Sequence, residues 1–154
     1  MRNWRLVAVI GLACGTALPA GAGTSTLPAS LAECGACHMV YPPQFMAMRS
    51  WAALLDKLDA HFGEIATLPP DKLSEISTYL TDNSADGPAN ALSSGRFLSG
   101  VPTDATPLRI TDMPWWIGAH EEVSFAGISN TRIKSASNCL GCHGGGAKAS
   151  KEPE

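Results

Sequence analysis

Four cysteines and two histidines stand in two copies of one five-residue pattern, Cys34-Gly35-Ala36-Cys37-His38 and Cys139-Leu140-Gly141-Cys142-His143. Cys-x-x-Cys-His is the attachment pattern for c-type haem. Residues three apart share one face of a helical turn, so the two sulfurs can reach the vinyl groups along one porphyrin edge and form thioethers. The histidine that follows can swing beneath the ring and bind the iron as proximal ligand. Small residues between the sulfurs (Gly35, Ala36, Gly141) let the macrocycle lie close to the backbone. Zinc also takes four Cys or mixed Cys and His, but it gives the adjacent histidines no reason to be there. Disulfides suit an exported chain, yet a Cys-x-x-Cys pair more often marks a redox-active dithiol. Two covalently attached haem c groups are the expectation, held by Cys34, Cys37, His38, Cys139, Cys142 and His143.

The chain has four histidines, so His61 and His120 remain for two irons that each have one more axial position. His61 lies 23 residues after His38, and His120 lies 23 residues before His143. All four are the expected metal ligands. Methionine is the competing sixth ligand: Met39 is too close to His38 to reach the opposite face, whereas Met46 and Met48 stay open, with gap-filling as their ordinary role. Trp115 and Trp116 offer flat apolar walls for a porphyrin, and Trp116 stands four residues before His120 on one helical face.

These residues need elements to position them. Pro28 to His38 reads as a short first helix. Tyr41-Pro42-Pro43 breaks it, and Ser50 to Phe62 reads as the second, with Ser50 as N-cap and Gly63 as terminator. Pro69-Pro70-Asp71 opens a third, with Leu73, Ile76 and Leu80 at helical spacing to Thr81 or Asp82. Residues 83–106 show little periodicity and read as a connecting loop with a turn near Ala91-Leu92. Thr111 to Glu121 reads as a short helix with Asp112 able to cap it. Residues 122–132 read as irregular or extended, and Ser135 or Ser137 as the cap of the last helix, which Gly144 ends. The fold class is mainly α, with two lobes. The boundaries are 23–85 for the first haem lobe, 86–107 for the linker, 108–147 for the second lobe and 148–154 for a mobile tail. Neither lobe has much aliphatic surface of its own, so each haem is expected to be its core and the apoprotein to be largely unfolded.

Residues 1–22 read as an address. Arg2 and Arg5 precede an uncharged stretch from Leu6 to Leu18, and Ala20-Gly21-Ala22 supplies the small residues of a cleavage site. A secretory signal cut after Ala22 explains this order; thirteen residues are short for a membrane anchor, and Cys14 leaves with the leader. The remaining 132 residues (154 − 22) carry 9 basic and 14 acidic side chains, a formal charge of −5. An acidic chain argues against a nucleic-acid partner, and its place is the periplasm.

The runs Glu33 to Gln44, Arg49-Ser50-Trp51, Asp59 to Glu64, Arg109-Ile110-Thr111, Pro114-Trp115-Trp116, His120 to Val123 and Asn138 to His143 together span nearly all of that chain. In them the sequence resembles the dihaem cytochrome c family of bacterial exported electron carriers. The resemblance implies an N-terminal lobe similar to class I cytochrome c, a smaller C-terminal haem lobe with much irregular structure, and two bis-histidine haems. It also implies electron exchange with a small oxygen-binding monohaem cytochrome and a membrane b-type cytochrome. Tyr41, within the first run, is expected beside a haem, and Arg49 and Arg109 are expected to pair with propionates. Phe45-Met46-Ala47-Met48 departs from the family's wording before Arg49 and keeps a methionine ligand open.

The functional expectation is therefore a monomeric electron carrier with no catalysed reaction and no small-molecule substrate. Irons saturated by two histidines offer no position for one. A redox subunit of a larger periplasmic reductase is the alternative, although 105 residues separate His38 from His143, whereas such subunits tend to have closely spaced motifs. A dihaem peroxidase needs one open or switchable iron, which four histidines for four positions do not leave.

Overall fold

The computed structural model describes residues 27–90, 95–123 and 133–144. The leader, the Ala91-Leu92 turn, residues 124–132 and the tail lie outside the described residues. Within them the chain is helical, and its one bridge of strand type joins His61 to Glu64. Pro28 starts a 3₁₀ turn, Ala29–Leu31, that runs into α1, Ala32–Gly35. A second 3₁₀ turn at Pro43–Phe45 leads to α2, Met48–Leu55, and Pro69-Pro70 opens α3, Pro70–Asp82, as its spacing predicts. Proline fits that first turn because its missing N–H would have no intrahelical partner anyway.

The core lies where α2 packs on α3. Trp51 and Leu55 face Ile76 and Leu80, with Leu31 and Met46 closing one side. Met113 and Trp116, from the stretch read as the second lobe, join the same cluster. Trp51 satisfies its indole by donating from Nε1 to the Pro43 carbonyl at 2.7 Å, inside the buried region. A buried indole N–H needs such a partner.

The second helix differs from its expected bounds at both ends. Ser50 is not its N-cap; it is completely buried within the first turn, and extended Ala47 precedes the helix. The cap function comes from across the fold: the Met48 amide donates to Asp86 Oδ1 at 2.6 Å. At the other end α2 stops at Leu55, and Leu58–Ala60 is a separate 3₁₀ turn. His61 therefore leaves the helical stripe. Phe62 takes φ +54 and Gly63 φ +102, and the Glu64 amide closes the turn on the His61 carbonyl at 3.0 Å. Gly63 acts here as the residue that accepts a left-handed backbone.

Residues 83–106 are more ordered than a bare loop. A 3₁₀ turn, Pro88–Asn90, and α4, Gly95–Leu98, lie within them, and Ser84 and Ala85 are buried. Gly87 has a steric reason: a Cβ there would sit 2.3 Å from the Thr81 carbonyl oxygen. The expected helix 111–121 is split into a 3₁₀ turn at Ile110–Asp112 and α5, Pro114–Ala119, with Met113 extended and fully buried between them. Burying Met113 in the core makes Met113, not Asp112, the N-cap. The final helix, α6, Cys139–His143, is capped by Asn138 and not by Ser135 or Ser137: Asn138 Oδ1 accepts from the Gly141 amide at 3.1 Å. Gly144 follows it as expected.

Candidate haem sites

Cys34 rides on α1, and Cys37 and His38 follow directly in the turn that ends it. Cys34 is half-buried and Cys37 exposed, and both thiols are unbridged. Burial pushes the Cys34 thiol up, with a further push from the neighbouring Glu33 charge. Glu33 in turn pairs with Lys72 of α3, which ties α1 to the larger helix.

The His38 ring is oriented by its backbone: Nδ1 lies 2.7 Å from the Met39 carbonyl. A carbonyl can only accept, so Nδ1 carries the proton and Nε2 keeps its lone pair for a metal. His61, delivered by the left-handed turn, places its ring centre 6.2 Å from that of His38, with the planes 30° apart. Burial, then the charges of His38 and Arg109, lower the His61 pKa. Each favours the neutral imidazole, which is the ligating form. Arg109 stands over the Phe62 ring, 4.1 Å from its centre, and so flanks this site.

The second site is built alike from different elements. Cys139, Cys142 and His143 are carried by α6, and burial pushes the Cys139 thiol up, partly opposed by a backbone hydrogen bond. His120 stands at the end of α5, where its Nδ1 contacts the Trp116 carbonyl at 2.8 Å and its ring stacks on the Trp116 indole at 4.2 Å and 16°. Its ring centre lies 6.1 Å from that of His143, with the planes at 90°.

These two separations test whether the residues suit an iron. A metal–imidazole bond of roughly 2.0–2.1 Å, plus about 1.1 Å from nitrogen to ring centre, doubled, gives about 6.2–6.4 Å. Both pairs match. Among the described residues no group of three or more His, Cys, Asp or Glu side chains is placed to hold a metal ion.

Other expected site residues have different surroundings. Trp116 is buried and backs His120. Trp115 does not share that role: its ring packs between Phe45 and Phe97, and its Nε1 donates to the Phe45 carbonyl at 3.2 Å. Arg49 has partners within the protein. It donates from Nε to the Ala105 carbonyl at 2.7 Å and from Nη2 to the Pro102 carbonyl at 3.1 Å, and it pairs with Asp86 at 3.7 Å. It pins the 102–105 segment to α2. Met46 and Met113 are fully buried in the core, Met46 at 1% exposure and Met113 at 0%. Tyr41 stacks on His38, ring centres 5.0 Å apart, and donates its hydroxyl to the Ser137 carbonyl at 2.7 Å. Burial, and then the Cys139 charge, push the Tyr41 hydroxyl up. The backbone carbonyls of Met39, Trp116 and Ser137 were not legible as site groups, since main-chain acceptors leave no mark in side-chain spacing. Phe62 had only the neighbouring Gly63 as a signal.

Comparison with known proteins shows the family. No functionally curated protein matches the chain at a significant level. The chain is similar to the diheme cytochrome c from Rhodobacter sphaeroides, at 39% identity over 77% of this chain and 90% of that one, with a TM-score of 0.67. A second structure of the Rhodobacter sphaeroides protein gives 39% identity over 76% and 89%, at TM-score 0.60. A diheme cytochrome type c from Shewanella baltica OS155 gives 29% over 74% and 80%, at 0.57. The family described as dihaem cytochrome c matches residues 30–151. The chain therefore belongs to the dihaem cytochrome c family, electron-transfer haem proteins with two covalently bound c-type haems.

Proposed function

We propose that His38 and His61 are the axial pair of one haem and His143 and His120 that of the other, with thioethers from Cys34 and Cys37 and from Cys139 and Cys142. On this reading the protein is a periplasmic carrier that passes electrons between a membrane b-type cytochrome and a small soluble monohaem cytochrome. The observation that carries it is the matched pair of imidazole separations, 6.2 and 6.1 Å.

Bound in these sites, each haem supplies a one-electron iron couple. The chain's own residues do the rest. His61 and His120 would hold the irons from the side opposite His38 and His143 and would leave neither open to a substrate. The Met39 and Trp116 carbonyls hold His38 and His120 in the ligating tautomer and stop the rings from turning. Ligation by two histidines also sets the potential below that of a Met/His pair, and Met46 and Met113 stay in the packing. With the leader removed, the acidic excess steers the protein toward basic partner faces, and salt weakens those encounters.

Exposure of dithionite-reduced protein to carbon monoxide tests the reading. Both visible spectra stay unchanged if all four axial positions are filled by histidine. Rapid binding at either haem refutes the assignment at that site.

A further inference from the structure

The two haem motifs lie about a hundred residues apart in the chain, yet one side chain touches the first and the turn that leads into the second. Tyr41 stands three residues after His38 and stacks its ring on the His38 imidazole, centres 5.0 Å apart and planes 29° apart. Its hydroxyl donates to the carbonyl of Ser137 at 2.7 Å, across 96 residues of sequence. Ser137 lies two residues before Cys139, and the same carbonyl also accepts from the Cys139 amide at 3.0 Å. Ring and hydroxyl thus act on different sites: the ring on the axial ligand of the first, the hydroxyl on the turn that presents the first cysteine of the second.

The segment 133–144 makes this contact informative. Many of its hydrogen bonds are internal: Asn138 Nδ2 to the Ile133 carbonyl, Ser135 to Ser137, Asn138 to Gly141. Among the described residues its contacts with the rest of the fold include the Tyr41 hydroxyl, Ala136 against the core and the His143–His120 ring pair. The Tyr41 bond is directional, which the Ala136 packing contact is not.

We propose that Tyr41 is the positioning residue that sets the coupling between the two haem sites, its phenol fixing the attachment turn of the second against the proximal histidine of the first. The proposal rests on the ligand assignment above. One electron passes at a time: the donor site is oxidised by one, the acceptor site is reduced by one, and no bond at Tyr41 forms or breaks. The phenol stays a neutral hydrogen-bond donor throughout. Its contribution is geometry, because electron exchange falls steeply with the gap and the orientation between sites.

The test uses the full holoprotein carrying both haems, with Tyr41→Phe and Tyr41→Leu. Tyr41→Phe keeps the ring on His38 and removes only the hydroxyl. Its expected effects are a slower electron equilibration between the haems after flash reduction and a weaker, broader magnetic interaction between the two ferric signals. Amide exchange in 133–144 rises roughly 2- to 10-fold, the range that one neutral hydrogen bond supports, while the first haem keeps its parent potential. Tyr41→Leu removes the ring as well and shifts that potential too. Rescue of the potential but not of the exchange rate by Phe separates the two roles. Equilibration and magnetic interaction identical to the parent in Tyr41→Phe overturn the proposal. Parent protein that binds carbon monoxide at either haem overturns the ligand assignment beneath it instead.

Discussion

Arg49 offers a sharp contrast between a haem-pairing role and a structural one. Its guanidinium reaches the Ala105 and Pro102 carbonyls and Asp86, three groups that belong to the protein itself. A hydrogen bond from a charged donor contributes about 1.5–3 kcal/mol. The Arg49 side chain is 33% exposed, so solvent screening places both carbonyl bonds at or below the low end of that range. The ion pair with Asp86 adds no more than about 1 kcal/mol for a contact this open. Arg49→Leu keeps the apolar stem and removes every donor. The expected loss is about 2 kcal/mol, roughly a thirtyfold change in the folding equilibrium. Urea denaturation of the holoprotein, followed by far-ultraviolet circular dichroism, reads it directly, and redox titration of the same samples shows no shift specific to one haem. Unchanged stability together with a displaced potential at one haem would refute the reasoning and return the guanidinium to a propionate.

Two other substitutions test the sites and the core. Arg109→Gln removes a positive charge that, after burial and His38, helps lower the His61 pKa. A lowered pKa means that neutral His61 persists until acid drives protonation; without Arg109 the proton competes better, so loss of the low-spin ferric spectrum on acidification moves to higher pH. A transition at the parent pH or below it would show that Arg109 does not act on His61. Trp51→Phe strands the Pro43 carbonyl that now accepts from the buried indole at 2.7 Å, at an expected cost of about 1–3 kcal/mol in the same urea experiment. A change under about 0.5 kcal/mol would mean that water or a neighbour replaces the bond.

The attachment residues were legible because covalent haem binding is local: two sulfurs and a histidine must lie within one helical turn, so their spacing is written in five consecutive residues. The same holds for α3, whose prolines and apolar spacing act within the helix itself. His61 and His120 were legible as types but not as geometry. Their pairing at 6.2 and 6.1 Å comes from a left-handed turn at Phe62-Gly63 and from the end of α5, neither of which follows from helical periodicity. Asp86 capping α2, Arg49 pinning 102–105 and Tyr41 reaching Ser137 join residues 38, 56 and 96 positions apart. Sequence neighbours carry no trace of such partners, since a hydrogen bond depends on distance in space and only the packed chain brings those groups within reach. Ser50 shows the converse: its type suits a cap, and burial within the fold overrode that local preference. What chemistry the chain performs was thus set by local spacing, and how its two sites are held and joined was decided by tertiary contact.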